Sequence, residues 1–185
     1  FVGDSPEDEA VSILSSTLEG ITFEINVPWE ELVLEPVSID GREYTQISLN
    51  DWPLESTPGA PVLPFLNEQL GIPFDAEITI NVIPGATRST SLSFPILPGQ
   101  EQVMNWAPPT DEFSPDLPEP VFIIQENATI YGSNALYPSD LVRVSSDGVL
   151  REQRVLGLSI YPVQYQPEKQ ELTIYETLQI EVTYG

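Results

Sequence analysis

Histidine and cysteine are both absent from the 185 residues of the chain. Without histidine there is no Ser-His-Asp triad, no imidazole general base and no histidine ligand for a metal. Without cysteine there is no thiol nucleophile, disulfide, iron–sulfur cluster or thiolate zinc site. The sequence therefore predicts a protein that is not an enzyme and that carries no cofactor.

Basic residues are scarce. The chain has 6 Lys and Arg against 29 Asp and Glu, which gives a formal net charge of −23. This charge repels phosphate backbones and anionic lipids, so we expect no nucleic-acid partner. Apolar runs of the roughly 20 residues that a membrane helix needs are also missing, and we expect no membrane insertion. The hydrophobic content of 41% is nevertheless sufficient for a folded core.

Carboxylates are the main groups left that could act in catalysis or bind a metal. With 29 of them, some pair will have glycosidase-like spacing by chance, so that spacing carries no information. A calcium loop of the D-x-[DN]-x-[DN]-G type is not present, and we expect no built metal site.

Hydrophobic residues alternate with polar ones, and no segment sustains a helical period. Strands are predicted at 21–27 and 78–82, and the stretch 172–182 is interpreted as one long or bent strand. The dipeptide Asp40-Gly41 between two such runs is typical of a two-residue β-hairpin. Ser146-Asp147-Gly148 predicts another turn. The fold class is therefore all-β, an antiparallel β-sandwich or barrel-like domain with long Pro-rich loops.

Proline defines the predicted domain organisation. The chain contains 19 prolines, and two stretches, 54–73 and about 95–120, are Pro-rich and are predicted to be poor in strands. Residues 1–18 form an acidic N-terminal segment, and residues 19–185 are predicted to form a single β-sandwich domain with a Pro-rich loop at about 95–120. The only helix expected is one turn near 138–141.

Two separated motifs resemble a known family. The first is a G-x-P-x-L-P segment with a following L-G-I-P, and the second is an Arg-initiated strand pair ending in P-V-Q-Y-Q-P and L-T-I-Y. An aromatic-Gly segment before a proline lies between them. The segments are Pro58 to Phe65, Leu70 to Pro73, Tyr131-Gly132, Tyr137-Pro138, Arg154 to Pro167 and Leu172 to Tyr175. In order and approximate spacing, residues 15–185 resemble the N-terminal propeptide domain of gingipain-like (family C25) cysteine peptidases.

This resemblance implies a sandwich-like fold and a non-catalytic secreted domain that binds a C25-type cysteine peptidase, keeps it latent and helps it fold. In that family a propeptide loop enters the active-site cleft like a substrate. The loop that matches by position consists of Ser133, Asn134, Ala135, Leu136, Tyr137 and Pro138. It has no Arg or Lys, so a specificity pocket that it fills is not of the acidic, arginine-selecting kind. We expect the segment Pro58–Pro64 to form part of the same partner-binding surface.

A self-assembling extracellular subunit, in a filament or surface layer, is the alternative interpretation. Val11, Ile13 and Leu18 could then supply a strand to the open sheet of a neighbouring copy of the chain. Either interpretation places the protein outside the cell or on the cell surface of a bacterium or archaeon. The chain begins at Phe1 rather than Met, which fits a mature secreted protein after signal removal and also fits a trimmed chain.

Overall fold

A computed structural model describes residues 10–104 and 120–185 of the chain. Within these residues all strand ladders are antiparallel. The elements comprise three larger sheets, three two-stranded ribbons, one short α-helix and two 3-10 turns at Trp29–Glu31 and Pro167–Lys169.

The largest sheet has four strands in the order β1-β2-β16-β8. They are β1 (Val11–Ser16), β2 (Gly20–Asn26), β16 (Thr177–Tyr184) and β8 (Ile78–Pro84). Because side chains alternate along a strand, one face of this sheet is apolar and buried, with Phe23 beside Ile180. The opposite face is polar. There the Asn81 side chain donates to Glu181 Oε2 at 3.0 Å, and Gln179 donates to Glu181 Oε1 at 3.1 Å.

Two three-stranded sheets supply the rest of the buried strands. One has the order β12-β13-β7 and the other has the order β14-β15-β9. Their strands are β12 (Val142–Leu150), β13 (Gln153–Ile160), β7 (Leu66–Ile72), β14 (Val163–Gln166), β15 (Glu171–Tyr175) and β9 (Thr87–Ser91). Side chains of β13 and β14 are buried along most of their length.

The remaining elements are short or lie at the edges. The ribbons are β3 (Leu32–Ile39) with β4 (Arg42–Leu49), β5 (Leu54–Glu55) with β6 (Leu63–Pro64), and β10 (Gln100–Met104) with β11 (Pro120–Ile124). One α-helix, α1, is present in the described part of the chain and covers Ala128–Tyr131.

Buried side chains from all three larger sheets form one hydrophobic cluster. Phe23 and Leu178 come from the four-stranded sheet, Leu158 from the centre of β13, and Tyr165 and Leu172 from β14 and β15. Sheets packed over a shared core are the arrangement of a β-sandwich. The predicted all-β antiparallel class is confirmed.

Several local predictions also hold. Strand β2 covers the predicted run at 21–27 except for Val27, and β8 covers the predicted run at 78–82. The hairpin of β3 and β4 turns at Asp40-Gly41, where both residues have a positive φ of 51° and 80°. A two-residue type I′ turn requires this conformation at both positions.

The C-terminal stretch does not form one strand. It divides at Glu176 into β15 and β16, which belong to different sheets. The N–H of Glu176 donates to the carbonyl of Ala86 and its own carbonyl accepts from Val27, so this residue bonds to two distant segments. The predicted long or bent strand is therefore two strands of different sheets, and the long-range bonds that divide it leave no mark in the local alternation.

The predicted turn at Ser146-Asp147-Gly148 was also wrong. These residues lie inside β12, where the register with β13 shifts between Val144 and Ser146. The chain instead turns at Arg151 and Glu152, with φ values of 49° and 68°. The one-turn helix expected near 138–141 is absent from the described residues, and the α-helix lies ten residues earlier, at α1.

Strands also occupy the Pro-rich stretches. Three short strands, β5, β6 and β7, lie within 54–73, and β10 and β11 lie at the two ends of the predicted 95–120 loop. Residues 1–9 of the acidic segment, and residues 105–119 of that loop, lie outside the described residues. The remainder of the acidic segment contains β1.

Arg154 ties the β12–β13 hairpin to the turn that precedes β8. Its guanidinium bonds both carboxylate oxygens of Asp147 at 2.9 and 2.7 Å. It also donates to the carbonyls of Phe74 and Ala76 at 3.0 and 2.9 Å. The hydrogen bond from Arg154 lowers the pKa of the Asp147 carboxyl below its ordinary value.

An Asp147→Asn variant tests this pair. Because the pKa of Asp147 is lower in the folded chain than in the unfolded chain, the pair stabilises the fold above about pH 4, and this stabilisation is lost as the pH falls through the folded-state pKa. We expect the variant to unfold at a lower temperature than the parent at pH 7, and the difference to narrow below about pH 4. Thermal unfolding of the parent and the variant at pH 7 and at pH 3 measures this difference in unfolding temperature. A difference that stays constant down to pH 3 would show that the carboxylate charge is not responsible.

Candidate functional site

The loop Ser133–Pro138 starts directly after α1, and this helix is fixed at both ends. The Asn127 side chain caps its first turn by accepting from the N–H of Thr129 at 3.0 Å. The hydroxyl of Tyr131 donates to the carbonyl of Ile96 at 2.7 Å. Burial raises the pKa of Tyr131 far above its ordinary value, so the phenol keeps the proton that this bond uses.

Both ends of the loop are bonded to the core. At the start, the N–H of Ser133 donates to Ile130 O at 3.1 Å, and the carbonyl of Ser133 accepts from Glu168 N at 3.3 Å. At the end, Tyr137 and Tyr165 exchange two backbone hydrogen bonds of 2.8 and 2.7 Å. Tyr137 therefore extends the β14-β15-β9 sheet by one residue beyond β14.

Gln164 is the buried support of the loop base. Its side-chain amide donates to the carbonyl of Pro138 at 2.7 Å, and its carbonyl oxygen accepts from the Tyr175 hydroxyl at 2.8 Å. Only 3% of Gln164 is exposed. Since a backbone carbonyl can only accept, the orientation of this amide is fixed, and each of the three groups has a partner.

The tip of the loop, Asn134 to Leu136, is exposed between these anchors. The Gln166 side chain donates to the backbone and side-chain oxygens of Asn134 at 2.6 and 2.8 Å. Ser133 Oγ accepts from the N–H of Ala135 at 3.0 Å. Leu136 is 37% exposed, and no hydrogen bond within the described part of the chain uses its backbone N–H or C=O. A free backbone next to a fixed one can pair with an extended segment of a partner.

The charged groups that act on Tyr137 are Glu55 and Arg143, and neither belongs to the loop tip. Burial raises the pKa of the Tyr137 hydroxyl, the Glu55 carboxylate raises it further, and Arg143 lowers it. Arg143 itself lies over the ring of Tyr161 at 5.2 Å and pairs with Asp140 at 3.7 Å. The exposed part of the loop is therefore neutral, with an amide and an aliphatic side chain.

The segment Pro58–Pro64 lies mostly inside the protein. Ala60, Pro61, Leu63 and Pro64 are buried, and Pro58 is exposed. The N–H of Gly59 donates to Gly99 O at 2.9 Å, and the N–H of Gly99 donates to Ala60 O at 2.8 Å. Most of this segment is therefore not available as the expected partner-binding surface, because Pro61, Leu63 and Pro64 pack into the fold.

Sequence reasoning missed a second exposed surface, which we call the apolar hairpin: β10 and β11 with their side chains Val103, Val121, Phe122 and Ile123. These four are 37%, 45%, 59% and 40% exposed. Val103 pairs with Val121 on one face, and Phe122 points to the other face beside Gln102. The sequence predicts a Pro-rich loop at about 95–120, and the alternation of side chains alone does not show that both faces of the hairpin are exposed to solvent.

The residues proposed for strand donation belong to the N-terminal part of the described chain. Val11 and Ile13 lie in β1, which pairs with β2 of the same chain, and Val11 packs against the core. Ile13 is 66% exposed, and Leu18 in the following turn is 96% exposed. Strand donation stays a prediction, and it would have to use the outer edge of a strand that already has an intramolecular partner.

The described residues contain neither a candidate metal site nor a helix that could span a membrane. No group of three or more Asp and Glu side chains in residues 10–104 and 120–185 could hold a metal ion. No helix in these ranges has the length and apolar character needed to cross a bilayer.

An antiparallel β-sandwich that holds an exposed loop on a rigid scaffold is the arrangement of many binding domains. A comparison with family models identifies the particular class. The model of Propeptide_C25 matches residues 3–185, and the chain belongs to this family.

Similar proteins agree with this assignment. Lys-gingipain of Porphyromonas gingivalis is 25% identical over 162 residues, which is 88% of this chain. The chain spans only 9% of the length of that relative. Nothing in these comparisons supports the alternative of a self-assembling subunit.

Two solved structures share the fold. One is a complex of the pro- and mature domains of RgpB from Porphyromonas gingivalis, with a TM-score of 0.73, 18% identity, and coverage of 95% of this chain and 85% of that chain. The other comes from a structural study of zymogenic latency of gingipain K from the same organism, with a TM-score of 0.71, 21% identity, and coverage of 98% and 95%.

Proposed function

We propose that this chain is a non-catalytic domain that binds the catalytic domain of a C25 cysteine peptidase outside the cell, keeps it latent and assists its folding. The observation that carries the proposal is the match of the Propeptide_C25 family over residues 3–185. A fold shared with the pro-domain in a solved complex of pro- and mature domains supports it.

The geometry of the loop supports a role in the peptidase cleft. A substrate-like inhibitor needs a backbone that is extended, held in place and still free to bond with the cleft. The anchors at Ser133 and Tyr137 hold the loop, and the unbonded backbone of Leu136 remains available. Because the bonds that order the loop already exist in the free domain, little conformational entropy is lost on binding.

The side chain of Leu136 then suits an apolar pocket. It is the largest exposed apolar side chain of the loop tip, and its neighbours Asn134 and Ala135 carry no charge. An acidic pocket that selects Arg or Lys would gain nothing from a leucine. The partner peptidase is therefore expected to accept an aliphatic residue at this position.

Replacing Asn134–Leu136 by Gly-Ser-Gly tests the loop. We expect the inhibition constant against a C25 peptidase catalytic domain to rise about 30-fold, since an apolar anchor and a preorganised backbone are both lost. Hydrolysis of a short peptide substrate is measured at increasing concentrations of the chain. Tyr137 is left in place, because its bonds to Tyr165 maintain the loop base.

A matched pair of single variants separates the cleft contact from a general loss of apolar surface. Leu136→Ser should weaken inhibition by about tenfold, whereas Leu18→Ser, at a leucine that is 96% exposed in another turn, should leave it unchanged. Equal inhibition by the parent and the Gly-Ser-Gly variant would remove the loop from the mechanism.

The peptidase should also refold in higher yield when the chain is present.

A further inference from the structure

The chain has few bonds that a peptidase specific for basic residues could cut. Its six basic residues all lie in the described ranges. They are Arg42, Arg88, Arg143, Arg151, Arg154 and Lys169. The state of each side chain therefore decides where such a peptidase can act.

Four of the arginines are held by the domain itself. Arg42 pairs with Glu126 at 2.6 Å, and Arg88 pairs with Glu176 at 2.6 Å while lying 3.6 Å above the Trp29 ring. Arg143 lies over the Tyr161 ring and pairs with Asp140. Arg154 pairs with Asp147. A side chain engaged in this way must give up its partners before it can enter a specificity pocket.

Lys169 is exposed, but the backbone around it is tied to other segments. The carbonyl of Gln170 accepts from Leu92 N at 2.7 Å, and the N–H of Glu168 donates to Ser133 O at 3.3 Å. Gln170 also closes the 3-10 turn by donating to Pro167 O at 3.0 Å. Cleavage after Lys169 would require opening this turn together with its contacts to two distant loops.

Arg151 differs from the other four arginines. It is exposed, and neither an ion pair nor a side-chain hydrogen bond holds it within the described part of the chain. It lies in the tip of the β12–β13 hairpin, which we define as residues 149–152. Val149 and Leu150 are 60% and 62% exposed, so almost nothing packs against this tip.

The tip also has a strained turn and little support. Arg151 and Glu152 both adopt positive φ angles, which favour Asn or Gly and cost a non-glycine residue about 1 kcal/mol or more. Strand β7 pairs with β13 only as far as Arg154, so the tip extends past its last neighbour. Beyond the Asp147–Arg154 pair, only Gly148, Val149 and Leu150 pair with β13. This end of the hairpin can open without disturbing the core.

We infer that the bond between Arg151 and Glu152 is the primary processing site of this domain for an arginine-directed endopeptidase. Water adds to the carbonyl carbon of Arg151, the C–N bond to Glu152 breaks, and a carboxyl group and an amine are released. The products are residues 1–151 and 152–185. The second fragment contains β13, β14, β15 and β16, so it stays bound through all three larger sheets.

Limited digestion of the folded 185-residue chain with trypsin, followed by intact mass, tests the site. The first products should be 1–151 and 152–185, held together in native size-exclusion chromatography. Arg151→Gln should slow the first cleavage by more than about tenfold, and the matched variant Lys169→Gln should leave its rate unchanged. Asp147→Asn, which removes the pair below the tip, should make the cut faster.

Three results would overturn the inference. The first is an initial cut after any other basic residue, and the second is an unchanged rate in Arg151→Gln. The third is complete resistance of the folded chain over the time in which the urea-unfolded chain is digested.

Discussion

A Gln164→Leu variant is expected to lose about 2–4 kcal/mol of the free energy of unfolding. Leucine fills nearly the same space, but it leaves the Pro138 carbonyl and the Tyr175 hydroxyl without their partner. A buried polar group that loses its only hydrogen bond costs about 1–3 kcal/mol. Chemical denaturation followed by tryptophan fluorescence measures the change.

A double-mutant cycle divides the lost free energy of unfolding between the two hydrogen bonds of the Gln164 side chain. Adding Tyr175→Phe to Gln164→Leu removes the unpaired hydroxyl and should restore about 1–2 kcal/mol, because only the carbonyl is then unsatisfied. The matched control is Gln69→Leu, at an exposed glutamine of β7, which should change stability by less than about 0.5 kcal/mol. Additive effects of the Gln164 and Tyr175 variants would contradict the proposed coupling.

The same variant connects stability to function. Pro138 ends the loop, and Gln164 is its buried contact. Under conditions where Gln164→Leu is still folded, we expect weaker inhibition of the peptidase than for the parent, although no residue of the tip has changed. This result would identify Gln164 as a positioning residue.

The second large expected effect is a loss of binding affinity when the apolar hairpin is changed. We propose that this exposed apolar surface docks on the peptidase, so the double variant Val121→Ser/Phe122→Ser should weaken binding by about 100-fold, because each face of the hairpin loses an apolar side chain. The free energy of unfolding should change little, since Val121 and Phe122 are 45% and 59% exposed and contribute little to the core. Isothermal calorimetry gives the affinity, and denaturation gives the stability.

Phe74 provides a matched control for this experiment. It is 55% exposed, close to the exposure of Phe122, but it lies in the turn before β8. Phe74→Ser should leave the affinity unchanged. If Phe74→Ser and the hairpin variant weakened binding equally, the loss would reflect general surface hydrophobicity, and the hairpin would not be a docking surface.

The sequence was informative where a residue's conformation depends on its neighbours along the chain. The alternation at 21–27 predicts a half-buried strand because residues two apart in a strand point to the same face, so Phe23 and Ile25 can both be buried. Asp40-Gly41 predicts a hairpin because few other residue pairs accept two positive φ angles.

The errors arose where distant contacts decided the outcome. Glu176 interrupts the C-terminal strand because it bonds to Ala86 and Val27, which no local pattern shows. Arg151 and Glu152 form a turn that their own preferences oppose, and Ser146-Asp147-Gly148 enters a bulged strand instead. The position of the candidate loop came from a resemblance between motifs. Its support by Gln164 and Gln166 could only be found in the folded chain.

The proposed latency requires that the chain covers the catalytic cleft of its partner. Alkylation of the active-site cysteine of a C25 peptidase catalytic domain by a small electrophile reports this directly. We expect the rate of alkylation to fall in proportion to added chain and to approach zero at one equivalent. Alkylation at an undiminished rate with a saturating excess of the chain would contradict it.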